Sequence, residues 1–288
     1  MKHWDTVAIV GVGLIGGSIG LDLLRGKLAR RVIGIGRRAA SLKTARERGC
    51  ISVATTDLAE GVADADLIIV CTPVGRIVAD VCTAAASAKP GAMITDVGST
   101  KRSIVAGVQG KLPASVTFVG SHPIAGSEKN GPAAALEGLF VKRTTVVTPA
   151  DDTPEKATKA IERFWKSLHS RVVRMTPEAH DAALAATSHV PHIVASALAG
   201  ATPEDILQLT AGGWLDSTRI AAADSQLWLE ILTDNRSEVL KSLAQVETRL
   251  AAFRKALETE NSTKLTALLE EGKAIREAAR AKPKAKAR

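Results

Sequence analysis

The stretch Gly11-Val12-Gly13-Leu14-Ile15-Gly16 constrains this chain more than any other. It follows directly on an apolar, β-branched run, Thr6–Val10, and opens into a helical pattern. In that setting a G-x-G-x-x-G has a reason for each glycine. Gly11 permits a tight turn, Gly13 lets backbone amides approach a pyrophosphate, and Gly16 lets helix and strand pack closely. The helix start adds unpaired N–H groups and the positive end of its dipole. Gly11, Gly13, Leu14, Ile15 and Gly16 are therefore expected to hold a dinucleotide.

The chain beyond the turn fits the same architecture. Thr6–Val10, Val32–Ile35, Leu67–Cys71, Ala92–Asp96, Thr117–Val119 and Thr145–Thr148 read as strands, and Gly17–Leu24, Ala39–Arg48 and Arg76–Ala86 read as helices between them. This alternation predicts an α/β fold, a Rossmann-type doubly wound and mostly parallel sheet. Beyond Pro149 alanine, leucine, lysine and glutamate dominate at helical spacing, with one short β-like run at Arg171–Met175. The expected organisation is a dinucleotide-binding domain over 1–150, an all-helical substrate and dimerisation domain over 151–280, and a basic tail over 281–288. In Ser237–Leu257 the residues Val239, Leu240, Leu243, Val246, Leu250 and Phe253 form a stripe that must bury against something, and a homodimer interface is expected there, with an intrachain core as the alternative.

The net charge of +8 would suggest a nucleic-acid partner if it were spread over the chain, but Arg280, Lys282, Lys284, Lys286 and Arg288 supply five of the eight charges. The tail reads as a solvated, disordered end, and neither nucleic acid nor membrane is expected as a partner. Cys50, Cys71 and Cys82 have no metal-ligand spacing and read as buried thiols. No window approaches the roughly 18 consecutive apolar residues that cross a bilayer, and the N-terminus has no basic-then-apolar leader, so a soluble, cytoplasmic protein is expected.

Cofactor choice is read at the end of the second strand, where an Asp or Glu would bond the ribose 2′-hydroxyl of NAD. Here the stretch is Gly34-Ile35-Gly36-Arg37-Arg38, with no carboxylate and two guanidiniums suited to a 2′-phosphate, so NADP is expected, with NAD as the alternative. Thr72, Pro73 and Ser99 close two later strand ends and are expected to line the same crevice.

With no tyrosine in the chain, the Tyr-x-x-x-Lys acid–base pair of short-chain dehydrogenases cannot exist. Histidine is the natural acceptor from an alcohol that loses hydride. Of six histidines, His122 in Phe118-Val119-Gly120-Ser121-His122-Pro123 stands just past a strand, at the crevice. His189 and His192 share a face if helical, although Pro191 disturbs or begins that helix. Without a third ligand they make no metal site.

Taken together, Gly11–Gly20, Asp96–Lys101, Gly120-Ser121-His122-Pro123-Ile124-Ala125-Gly126-Ser127-Glu128, Ser188–His192 and Gly212-Gly213-Trp214-Leu215-Asp216-Ser217-Thr218-Arg219-Ile220-Ala221 resemble the prephenate/arogenate dehydrogenase family of tyrosine biosynthesis. The resemblance covers nearly the whole chain. It implies an oxidative decarboxylation to 4-hydroxyphenylpyruvate or tyrosine, driven by aromatisation. It further implies that His122 accepts the hydroxyl proton or hydrogen bond and that Ser99 orients that histidine and the hydroxyl. Arg219 would bind a substrate carboxylate, His192, His189 and Gly212 would line the pocket, and Glu128 would gate or shape it.

One departure is Leu215, where relatives commonly carry Lys or Arg, and it leaves the choice between prephenate and arogenate open. With no room for an appended regulatory or chorismate mutase domain, a monofunctional enzyme is expected. Two rival readings are weaker. A β-hydroxyacid or 6-phosphogluconate type dehydrogenase would need a Lys/Asn pair in a glycine-rich context, which Asn235 and Lys241 lack, and a non-catalytic NADP sensor would leave His122 and Arg219 without purpose.

Overall fold

The computed structural model describes residues 4–126 and 129–280. Its strands are β1 (Trp4–Val10), β2 (Ala29–Ile35), β3 (Val53–Thr55), β4 (Leu67–Val70), β5 (Met93–Asp96), β6 (Thr117–Ile124), β7 (Thr144–Thr148) and β8 (Arg171–Arg174). They form one sheet in the order β3-β2-β1-β4-β5-β6-β7-β8, parallel except where β7 meets β6. The helices of this part are α1 (Leu14–Arg25), α2 (Ala39–Glu47), α3 (Leu58–Val62), α4 (Val74–Ser87), α5 (Arg102–Val108) and α6 (Glu155–Ser167).

Side chains alternate across the sheet, and both faces are covered. Val7, Ile9, Val32 and Ile69 pack with Ile19 and Leu23 of α1 and with Ile161, Phe164 and Trp165 of α6. Ala8, Val10, Ile33 and Ile68 pack with Ile77 and Val81 of α4 and Ile104 of α5. The chain leaves β1 toward β2 and β3, then returns to β4 on the other side of β1. The strand order reverses at β1 and β4, and that is where such sheets open a crevice at their carboxyl ends.

Two expectations shift. The run near Arg171 is not an interruption of the helical half: β8 pairs in parallel with β7, so the sheet continues well past residue 150. His122 lies inside β6 rather than beyond it. The first part of β6 pairs with β5 as far as Val119, and Gly120–Ile124 then pair antiparallel with β7, with His122 opposite Val146. The strand thus outruns β5 and carries His122 past that strand's end.

The helical half comprises α7 (Pro177–Leu184), a π-helical turn at Ala185–His189, α8 (Val190–Gly200), α9 (Gly212–Thr218), α10 (Ser225–Asp234), α11 (Arg236–Glu258) and α12 (Ser262–Arg280). Pro191 falls in the first turn of α8, where its missing N–H does least harm. By length and mean hydropathy the run Pro177–Gly200 is apolar enough to cross a membrane, although it is not a stretch of consecutive apolar residues. It nonetheless carries buried His180, Asp181, His189 and His192, as a helix packed around a polar site does. The chain divides into two compact units, one ending at Val239 and one beginning at Leu240. Of the predicted stripe, Val239 is buried, whereas Leu240 and Leu250 remain exposed.

Candidate active site

The glycine turn is built as its spacing requires. Gly11 has φ +93°, and a Cβ there would lie 2.8 Å from the Cys71 carbonyl oxygen, so the turn presses against the end of β4. A Cβ on Gly16 would lie 2.4 Å from the Gly11 carbonyl oxygen, whereas one on Gly13 would meet no atom within 4 Å. The space over Gly13 is open, no side chain caps α1, and the buried Thr72 hydroxyl lacks a hydrogen-bond partner among the described residues. A pyrophosphate and its flanking groups fit these features.

Leu14 is buried and Ile15 half-buried at the helix start, and Pro73 is the residue that precedes α4. Arg37 and Arg38 follow β2, exposed and without an ion pair among the described residues. This crevice fits a nicotinamide dinucleotide, as the glycine spacing indicates.

At the end of β5, Asp96 is fully buried. It accepts from the amides of Gly98 (2.8 Å) and Ser121 (3.1 Å) and pairs with the equally buried Lys101 ammonium. Burial pulls the Lys101 pKa down, against the pull of Asp96 in the other direction. Ser121 spans β5 and β6, since its hydroxyl donates to the Asp96 carbonyl (2.6 Å) and accepts from the Trp165 indole (3.0 Å). These bonds hold the β5 and β6 ends together just where His122 begins to project.

The structure adds partners to His122 that sequence reasoning did not find. Its Nδ1 lies 2.9 Å from His180 Nε2, and His180 Nδ1 lies 2.7 Å from Asp181 Oδ1. The Asp181 carboxylate also accepts from the amides of Lys101 (2.8 Å) and Arg102 (2.9 Å) at the start of α5. Asn235 donates to the Asp181 carbonyl (2.8 Å) and lies 3.1 Å from His189 Nδ1. His180, Asp181 and Asn235 belong to no local motif; a neighbouring His–Asp pair in a helical stretch was the sole signal. Ser99, expected to orient His122, is half-buried and makes no hydrogen bond among the described residues, so the direct partner of His122 is His180.

The electrostatics favour neutral imidazoles. Desolvation, reinforced by His180, Lys101 and His189, holds His122 well below the ordinary histidine value. Desolvation likewise takes His189 down to about 4, although Asp181 opposes the shift. Burial alone lowers His192. For Asp181 burial acts upward, but hydrogen bonds from His180 and the two amides outweigh it and keep the carboxyl below its usual range.

His192 stacks on Trp228, with centroids 3.7 Å apart and planes at 9°, and its buried Nδ1 has no partner among the described residues. Gly212 opens α9, whose Trp214 indole donates to Thr202 just past the end of α8 (3.0 Å). Arg219 begins a 3₁₀ turn that packs against α8, the helix bearing His192. Its guanidinium is exposed and forms no ion pair among the described residues. Leu215 is exposed on α9. Glu128 lies outside the described residues.

A doubly wound sheet with a dinucleotide crevice, closed by helices that bring neutral histidines to its open end, defines a nicotinamide-dependent dehydrogenase of the type with a helical second half. Comparison with known proteins narrows this. Residues 19–174 match the family model for the prephenate dehydrogenase nucleotide-binding domain, and residues 176–271 match that for the prephenate dehydrogenase dimerization domain.

Prephenate dehydrogenase of Bacillus subtilis (strain 168) is 34% identical over 268 residues, 91% of this chain and 72% of that protein. The crystal structure of Aquifex aeolicus prephenate dehydrogenase in complex with hydroxyphenyl propionate and NAD+ superposes with a TM-score of 0.88 at 30% identity, covering 96% of this chain and 98% of that one. Synechocystis arogenate dehydrogenase gives a TM-score of 0.81 at 29% identity, over 95% and 99% of the two chains. The chain belongs to the prephenate dehydrogenase family and is an oxidoreductase. The match to a prephenate dehydrogenase nucleotide-binding domain supports a nicotinamide cofactor for this chain.

Proposed function

We propose that this enzyme, as a cytoplasmic homodimer, catalyses the oxidative decarboxylation of prephenate, arogenate or both, with NADP as the hydride acceptor. The observation that carries this reading is His122, whose Nδ1 is engaged by His180 while its ring is held neutral and partly accessible. Its other nitrogen is left to accept a hydrogen bond from a substrate hydroxyl.

A nicotinamide held in the Gly11–Gly16 crevice would supply the acceptor for hydride from the ring carbon bearing that hydroxyl. The bond to the ring carboxylate breaks, releasing carbon dioxide, and its electron pair completes the aromatic ring. The product phenol retains one O–H, so no net proton is released. His122 therefore polarises the hydroxyl as charge shifts, without having to act as a final proton sink.

In this reading Arg219 grips a substrate carboxylate through its planar fork, while His189, His192 and Gly212 form the surrounding wall and Glu128 shapes the entrance. Ser99 hydrogen-bonds at the junction of substrate and cofactor. Gly11, Gly13, Leu14, Ile15, Gly16, Thr72 and Pro73 cradle the dinucleotide, and Arg37 and Arg38 select its 2′-phosphate. The exposed Leu250 (61%) and Ile275 (70%), within or beside the residues matched to the dimerization model, support burial of the last helices in a dimer.

The direct test offers prephenate and arogenate separately with NADP or NAD and follows reduced-cofactor absorbance. Turnover of neither substrate, despite tight NADPH binding, would overturn the reading. Arg37→Asp is expected to raise KM for NADP about 10–100-fold relative to NAD, the scale of losing charge-assisted hydrogen bonds. An unchanged preference removes Arg37 from cofactor selection. Arg219→Gln should raise the substrate KM by a similar factor and leave KM for the cofactor within about twofold, since only substrate binding loses a charge-assisted bond; equal effects on both would contradict its role.

A further inference from the structure

We propose that His180 and Asp181 are positioning residues that fix the tautomer of His122, presenting its Nε2 as a bare acceptor, while Asn235 fixes the opposite tautomer in His189. This deepens the reading of His122 as hydroxyl acceptor and rests on it.

With each imidazole neutral, donors and acceptors pair off in one way along the chain of contacts. The Asp181 carboxylate is anchored by the Lys101 and Arg102 amides, one on each oxygen, so toward His180 it can only accept. His180 must therefore carry its proton on Nδ1, 2.7 Å away. In a neutral ring that leaves His180 Nε2 as a lone pair, and it faces His122 Nδ1 at 2.9 Å. The hydrogen bond between the two rings then requires a proton on His122 Nδ1, which leaves Nε2 free of hydrogen.

The second histidine is set the other way. Asn235 Nδ2 has two hydrogens; one goes to the Asp181 carbonyl, and the other faces His189 Nδ1 at 3.1 Å. His189 thus accepts at Nδ1 and keeps its proton on Nε2, as a donor. The cluster offers one acceptor and one donor from otherwise identical side chains, and the buried layer beneath decides which is which. The effect is large elsewhere: a carboxylate whose geometry selects a histidine tautomer is worth roughly 10⁴ in kcat in the serine-protease triad, where Asn in its place gives the wrong tautomer.

Nitrogen-15 NMR of the histidine-labelled protein reads the tautomers without reference to turnover. The expected spectrum has His122 protonated at Nδ1 and bare at Nε2, and His189 the reverse. A proton on His122 Nε2 in the wild type overturns the proposal. Asp181→Asn, whose amide can donate to His180, is expected to move protons to Nε2 of both His180 and His122. It should also lower kcat by about 100-fold or more while KM for NADP stays within about twofold.

His180→Gln keeps a carbonyl able to accept from His122 Nδ1, so it should preserve the His122 tautomer and hold kcat within about tenfold; it serves as the second variant if Asp181→Asn folds poorly. A His180→Gln enzyme with the tautomer retained but kcat as low as in Asp181→Asn overturns the proposal. If His122→Asn loses its rate but Asp181→Asn leaves both spectrum and kcat unchanged, this proposal fails and the acceptor role of His122 stands. If His122→Asn keeps its rate, both fail.

Discussion

Replacing His122 with asparagine is expected to lower kcat about 10²–10⁴-fold, the usual contribution of a positioned acid–base group, while the Kd for NADPH changes little. The shorter asparagine can reach the position of Nδ1 and satisfy His180, but nothing then stands where Nε2 stood. The loss should therefore fall on the chemical step rather than on folding. The pH dependence has its origin in the same environment. Because burial keeps the His122 pKa well below the ordinary value, its acceptor form persists as pH falls through 6.5, where an exposed imidazole would already be gaining a proton. A His122→Asn enzyme with near-normal kcat would assign the acceptor to another group.

The second large effect separates two glycines of one turn. Gly13→Ala places a methyl group where no protein atom lies within 4 Å, and the Gly13 φ of −98° is not the left-handed conformation that favours glycine. The fold should keep its Tm within about 2 °C, since a substitution that touches nothing costs under roughly 0.5 kcal/mol. NADPH affinity should still fall about 10–100-fold, because the methyl keeps the pyrophosphate from backbone amides whose charged hydrogen bonds are worth about 1.5–3 kcal/mol.

Gly16→Ala is different, because its methyl would lie 2.4 Å from the Gly11 carbonyl oxygen and 2.9 Å from Ile9 Cγ2. Relieving that overlap means moving α1 away from β1, at about 1–3 kcal/mol or more. Both Tm and cofactor affinity should drop. Thermal melts and NADPH titrations of the two variants check this, and a Gly13→Ala protein that melts as low as Gly16→Ala would contradict it.

The parts of the fold that are legible in the sequence share one property: a local cause. β4, Leu67–Val70, is fully buried and reads as a continuous apolar run, because a central parallel strand is covered on both faces. β3, three residues at the sheet edge with none buried, has no such signature and escapes a reading of the sequence. The Arg171 run is visible as β-like, but its place in the sheet depends on pairing with β7, and no local pattern encodes that pairing. His122 is recognisable as a residue near the crevice, yet Pro123 reads as a breaker and would put it outside a strand. At this position the switch from parallel to antiparallel pairing lets the strand continue.

For the glycine turn, Gly11–Gly16 by itself determined that a dinucleotide should lie against the first helix. Backbone conformation and close approach are properties of residue type at fixed short spacing. The arrangement of His122, His180, Asp181, His189 and Asn235 is of another kind. These residues come from a sheet strand, one helix, a π-helical turn and the junction of two later helices, up to 113 positions apart. Which nitrogen of each histidine carries the proton depends on a hydrogen bond made across those distances. Only the tertiary structure decided it, because a tautomer is set by the partner a ring nitrogen meets in space, and nothing in the sequence beside His122 names His180 as that partner.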